Sequence, residues 1–122
     1  MNSTHKIVRA EFHCHTYFSK DSLNNIQYIL ATCQRRGIDR IAITDHNTIA
    51  GALIAKNLDP ERVIVGEEIK TTQGELLALF VQEEVPAGLS PGEAIARLRE
   101  QGAFISVSHP FDVGRSGHWE LT

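Results

Sequence analysis

Four of the five short apolar runs in this chain lead into histidine, aspartate or glutamate, three directly and one after a single glycine, a pattern that few folds can use. Residues 7–12 run into His13-Cys14-His15, 40–44 into Asp45-His46, 62–65 into Gly66-Glu67-Glu68, and 103–108 into His109-Pro110. Runs this short, bounded by turn residues, read as strands, and 40–44 has the unbroken apolar character of a parallel strand covered on both faces. Residues 75–81 form a further strand after the turn chemistry of Gln73-Gly74.

Helical patterns lie between these runs. Ser22 caps a helix extending to about Arg36, with Leu23, Ile26, Ile29, Leu30 and Cys33 on its apolar face and Gly37 as its stop. Thr48 caps a second helix to about Asn57, closed by Asp59-Pro60. Ser90-Pro91-Gly92-Glu93 is a capping box with proline at the first helical position, opening a third helix that runs to about Gln101 and stops at Gly102. The tail, 112–122, has no period. Strands alternating with helices over 122 residues predict one α/β domain, residues 1–122, built on a largely parallel sheet or barrel.

Charge and composition narrow the function classes. Lys plus Arg number 12 against 15 Asp plus Glu, for a net charge of −3, and no basic cluster offers a footprint for duplex nucleic acid. No apolar run approaches the ~18 residues of a membrane span, and no signal-peptide core follows the N-terminus, so a cytoplasmic protein is expected. Cys14 and Cys33 form neither a disulfide framework nor a CxxC pair, which fits a reducing compartment.

The polar clusters fall where chemistry is done. His13 and His15 are at i and i+2, so in an extended segment both rings point to one face and converge on one ion, while Cys14 points the other way. Asp45, His46, Glu68 and His109 follow strands directly and so sit at strand carboxyl ends, where α/β sheets and barrels build active sites. Imidazoles and carboxylates without thiolates favour zinc, manganese or iron. Two or three such ions within about 4 Å can clamp a phosphoryl group, generate hydroxide and neutralise the leaving oxygen. Phosphoester hydrolysis is the chemistry that this predicts, with His13, His15 and Glu68 in one coordination sphere.

Taken together, His13-Cys14-His15-Thr16, Ser19-Lys20-Asp21-Ser22, Thr44-Asp45-His46, Gly66-Glu67-Glu68-Ile69 and His109-Pro110-Phe111 resemble the PHP superfamily, named for polymerase and histidinol phosphatase. The resemblance implies a distorted (β/α)7 barrel, of which this chain reads as the N-terminal portion, with two or three divalent ions. By that likeness His13 and His15 hold one ion, Glu68 bridges to a second served by His109 and Glu75, and Asp21 and His46 share a third. Glu75 returns to the rim of Glu68 if residues 68–75 turn tightly. The Gly-x-Glu pattern selects Glu68, leaving Glu67 as a solvated or supporting carboxylate. Asp45 is carried as a catalytic residue that orients a metal-bound histidine, and Arg115 as a grip on substrate phosphate. His5 and His118 read as surface histidines.

The expected function is therefore a metal-dependent hydrolase of phosphoesters, a phosphatase acting on small phosphomonoesters or nucleotides. A nuclease or polymerase-associated proofreading domain, which would bind nucleic acid, is the alternative; a non-catalytic metal-binding fragment is a third. Barrels of this type need roughly 200 residues or more, by comparison with ~250 for eight-stranded ones. The late Asp-x-His pair of similar domains has no counterpart between Gly66 and Thr122. The expectation is a chain lacking its last strands and part of the third ion's ligands, with poor hydrolysis or none and an open edge at the fifth strand.

Overall fold

The computed structural model describes residues 7–18, 25–109 and Trp119. Asp21, Ser22, Leu23, Arg115, His5, His118 and all of the 112–122 tail but Trp119 lie outside the described residues. In chain order the elements are β1 (Ala10–Cys14), α1 (Ile26–Arg36), β2 (Arg40–Ile43), α2 (Ala50–Leu58), β3 (Val63–Lys70), β4 (Glu75–Leu79), α3 (Pro91–Glu100) and β5 (Phe104–Ser108).

Capping explains where the helices begin. Asn25 opens α1 by accepting from the backbone N–H of Gln27 and Tyr28, and Gly37, at φ 70°, closes it in the left-handed region where glycine carries no Cβ penalty. The expected start of α2 shifts inward: Thr48 Oγ1 still accepts from Ala50 N, but Ile49 occupies the cap and sends its own N–H to Glu84 Oε1. In α3 the capping box forms as read, with Ser90 Oγ accepting from Glu93 N at 3.2 Å.

The strands form a single curled sheet in the order β1-β2-β3-β4-β5. β1 with β2 and β2 with β3 pair in parallel, while both pairings of β4 are antiparallel. The sheet is thus mixed: β1, β2, β3 and β5 share one direction and β4 opposes them. Chain length dictates this. The link from Lys70 to Glu75 is only a tight turn, closed by Thr71 Oγ1 donating to Gly74 O at 2.6 Å, whereas a parallel return needs a crossover of a dozen residues.

That hairpin also makes β3 longer than the run 62–65 suggested. Its first part pairs with β2 and its second part, from Gly66 to Lys70, pairs with β4, so both glutamates lie inside the strand. Side chains alternate across it. Glu67 stands over the same face as Ile69, opposite Ala78 and Leu76, while Glu68 stands on the other face opposite Leu77.

The helix-side face carries the core. One cluster joins Ile26, Ile29 and Cys33 of α1 to Ile41, Ile43 and Val63; a second joins Ile69, Leu76 and Ala78 to Ala94 and Leu98 of α3. Glu67 belongs to this second environment and is fully buried, which rules out the solvated one of its two readings. Its Oε1 accepts from Val85 N at 2.9 Å, and burial pushes its carboxyl pKa up to about 8. Among the described residues, β1 and β5 are each paired on one side only, and Phe12, Phe104 and Val107 are exposed there. No helix among those residues is long and apolar enough to cross a membrane.

Candidate metal centre

Strand β1 delivers His13 and, one step past its end, His15. Parallel pairing with β2 fixes this segment: Thr44 N donates to Cys14 O at 2.7 Å, and Cys14 N to Thr44 Oγ1 at 3.1 Å. Cys14 turns toward the α1 cluster, and burial, with smaller contributions from Cys33, Glu11 and Asp45, raises its thiol pKa to about 11. It stays a thiol beside two imidazoles. Their rings point to the opposite face, as the i, i+2 spacing requires. The Nε2 atoms of His13 and His15 lie 3.2 Å apart, and each is 3.0 Å from Glu68 Oε1.

Two further imidazoles reach the same carboxylate, and one of them brings a second carboxylate, Glu75, with it. His46, which follows β2, bridges onto β3 at Glu68; its Nδ1 is 3.1 Å from Glu75 Oε2 and 3.5 Å from Glu68 Oε1. Glu75 comes from the first position of β4, across the hairpin as the tight-turn argument required. His109 leaves β5 with φ 50°, a left-handed conformation uncommon for a residue with a side chain, and its Nε2 lies 3.4 Å from Glu68 Oε2. Two groups of ligand atoms result, His13-His15-Glu68 and His46-Glu68-Glu75, with the atoms of each group within 4.8 Å of one another. The structure thus sets His46 beside Glu75; the family likeness gave Glu75 to an ion with His109, and His46 to one with Asp21, which lies outside the described residues.

The electrostatics suit cations. Glu68 is fully buried, which by itself would raise its pKa, yet hydrogen bonds from His13 and His15 and the nearby imidazole charge hold it well below the usual carboxylate range. Its Oε2 is buried with no hydrogen-bond partner among the described residues, a costly state for a carboxylate oxygen whose neighbour, His109 Nε2, lies 3.4 Å away. Donor atoms about 3 Å apart match the spacing around one ion with bonds of about 2.0–2.2 Å. Nitrogen and oxygen donors in this mixture fit zinc, manganese or iron, and the residues present therefore fit a divalent centre.

Asp45 is buried one position before His46. Its Oδ1 accepts from Thr16 N at 2.5 Å and its Oδ2 from Thr16 Oγ1 at 2.6 Å, so it fixes the residue next to His15. Gly51, in the first turn of α2, makes room for this clamp: a Cβ there would sit 2.5 Å from Thr16 Oγ1 and 2.6 Å from Asp45 Oδ2. Gly51→Ala should destabilise the protein by about 1–3 kcal/mol through overpacking and loosen metal binding, read by urea melts with and without zinc. Unchanged melts in both conditions would show that the clamp yields freely.

Thr16 and Gly51 carry roles that sequence reasoning did not assign, although a glycine within an Ala-rich helical pattern is itself a signal of close packing. Trp119 is another. Its indole N–H is shared between the carbonyls of Glu75 (3.3 Å) and Ser108 (3.1 Å), stapling the ends of β4 and β5 beneath Glu75 and His109. Nothing in a tail without periodicity foretold it.

Comparison with known proteins agrees with this geometry. Residues 11–87 match the PHP domain family. The chain is 39% identical over 117 residues to the uncharacterised protein MJ1587 of Methanocaldococcus jannaschii, covering 85% of this chain and 68% of that protein. It is 41% identical over 108 residues to MJ0417 of the same organism, covering 88% of this chain and 42% of the other. A crystal structure from Bifidobacterium adolescentis, of a protein provisionally named a metal-dependent phosphoesterase, superposes with a TM-score of 0.50 at 27% identity, over 61% of this chain and 28% of that one. The chain therefore spans less than half the length of two of these three relatives. The family match takes in more than half of the chain, including all five residues of the two groups that could hold a metal, and makes this chain a member of the PHP domain family.

Proposed function

We propose that this chain carries the metal centre of a phosphoesterase acting on small phosphomonoesters. One observation supports the reading above all others: a single buried carboxylate, Glu68, meets four imidazoles, two of them at 3.0 Å. Bound divalent ions would supply Lewis-acid stabilisation of phosphoryl oxygens and lower the pKa of water. His13, His15 and Glu68 would hold one ion, and His46, Glu68 and Glu75 a second, with His109 set against the free oxygen of Glu68. Asp45 keeps Thr16, and through it His15, in register with His46. Arg115 is assigned to the substrate phosphate and Asp21 to a further ion, both on the family likeness alone.

A small substrate is favoured over a polymer because the chain is net acidic and its sequence holds no basic cluster. The ions reverse that sign locally, so the charge of the chain does not exclude an anionic ester. The name of the Bifidobacterium protein supports the same reaction class, and a cytoplasmic setting suits two free thiols.

The test is metal uptake measured with turnover. Metal-free protein dialysed against zinc or manganese should retain ions, release phosphate from a small phosphomonoester and lose both properties in chelator. Release from a single-stranded oligonucleotide should be slower; faster release there would favour the nuclease. Protein that takes up no ion would overturn the reading.

A further inference from the structure

We infer that Trp119 is a positioning residue for the ion held by His46, Glu68 and Glu75, acting on that ligand group and not on His13-His15-Glu68, a role that rests on the metal-centre reading proposed above. Glu75 is the first residue of β4 and Ser108 the last of β5, and the two are register partners. Glu75 and the following His109 therefore stand at strand ends, where ladders fray most readily. The indole N–H ties these ends together, 3.3 Å from Glu75 O and 3.1 Å from Ser108 O. Ser108 adds no side-chain anchor of its own, since its hydroxyl is buried without a hydrogen-bond partner among the described residues.

The ring is seated for this role. It packs against the second core cluster, on the face that carries Ile69 and Leu76, whereas Glu68 stands on the opposite face. The sheet thus lies between the indole and the ligand atoms, and Trp119 acts through backbone. Gly74 makes the seat: a Cβ there would collide with the indole. Its φ lies outside the left-handed region, so the missing side chain serves the ring rather than the turn. Glu75, the next residue, reaches His46 Nδ1 at 3.1 Å, a contact that a small rotation at the start of β4 would break. His13 and His15 come from β1 and the residue just past it, at the other edge of the sheet, out of reach of such a rotation. Groups supporting metal ligands typically carry 10–100-fold in affinity, and one that acts through a backbone carbonyl belongs near the lower end.

Zinc affinity, measured by competition with a chromophoric chelator in two backgrounds, tests this. In a His13→Ala, His15→Ala chain, which keeps His46, Glu68 and Glu75, Trp119→Phe should weaken zinc binding about tenfold. In a Glu75→Gln chain, which keeps His13, His15 and Glu68, the same change should alter affinity less than about twofold. Gly74→Ala retains the indole but displaces it, and should reproduce the split even where Trp119→Phe fails to fold. Trp119 is the chain's one tryptophan. Its emission should therefore change as zinc fills the His13→Ala, His15→Ala chain and stay flat as zinc fills the Glu75→Gln chain. Equal weakening or an equal emission response in the two backgrounds, or no weakening in either, would overturn the positioning role and leave the metal-centre reading standing. So would a His13→Ala, His15→Ala chain that takes up no zinc where the unaltered protein does. An unaltered protein that takes up no zinc would overturn the two together.

Discussion

Replacing Glu68 by glutamine should abolish metal uptake at both ligand groups and lower phosphoester turnover by about 10²–10³-fold, since one preorganised electrostatic group alone can be worth that much. The size of the effect follows from sharing. Glu68 Oε1 is the common neighbour of His13, His15 and His46, and Oε2 faces His109, so a neutral amide there removes the only anion that both groups use. Glu75→Gln provides the contrast. Glu75 touches His46 and belongs to one group only, so this variant should keep the ion at His13, His15 and Glu68 and lose the other. Ion counts by elemental analysis distinguish the two results, and equal loss in both variants would refute the shared-carboxylate arrangement. Sign matters for the metal-free protein too. A carboxylate held below its ordinary pKa contributes stability above the unfolded value and loses it as pH falls through the folded one. Unaltered protein without metal should therefore lose stability on the acid side in a way that Glu68→Gln does not.

What could be read from the sequence was local and periodic. Two histidines at i and i+2 at the end of an apolar run share a face whatever surrounds them, and the same alternation places Glu67 and Glu68 on opposite faces. Gly37 and Ser90 likewise act on their own helices, so their roles follow from neighbours three or four residues away. Long-range pairing was not legible in this way. His46 meets Glu75 because Lys70 registers with Glu75 across the β3–β4 hairpin, and a turn signal at Gln73-Gly74 does not announce which strands it joins. Asn25 and Ser22 are both good cap residues, and the choice between such neighbours depends on where the helix must seat Ile26 and Ile29. For Glu67 the sequence left a solvated and a supporting carboxylate both open; the loop bearing Val85, folded over its face, makes it a buried acid.

That buried acid gives the second large effect. With its pKa raised by desolvation from the ordinary 4.5 to about 8, Glu67 in the folded chain keeps a proton that the unfolded chain has already lost. Stability changes with pH in proportion to protons bound by the unfolded state minus those bound by the folded state, and this difference is negative throughout that interval. The contribution is therefore complete below about pH 4.5 and is lost as pH rises toward 8, by about 3–5 kcal/mol in total at 1.36 kcal/mol per pH unit. Glu67→Gln removes the titration and keeps the carbonyl that accepts from Val85 N, while its amide nitrogen replaces an oxygen that also lacks a partner. The variant should match the unaltered protein within about 1 kcal/mol near pH 5 and exceed it by about 2–4 kcal/mol at pH 8, measured by urea unfolding in chelator. Glu67→Ala should be less stable at both values, because it leaves Val85 N unpaired and opens a cavity. Glu68 titrates identically in Glu67→Gln and the unaltered chain, so its acid-side contribution cancels in the difference. Parallel pH profiles for the two would mean that Glu67 is ionised in the folded protein, and that the loop over it admits water.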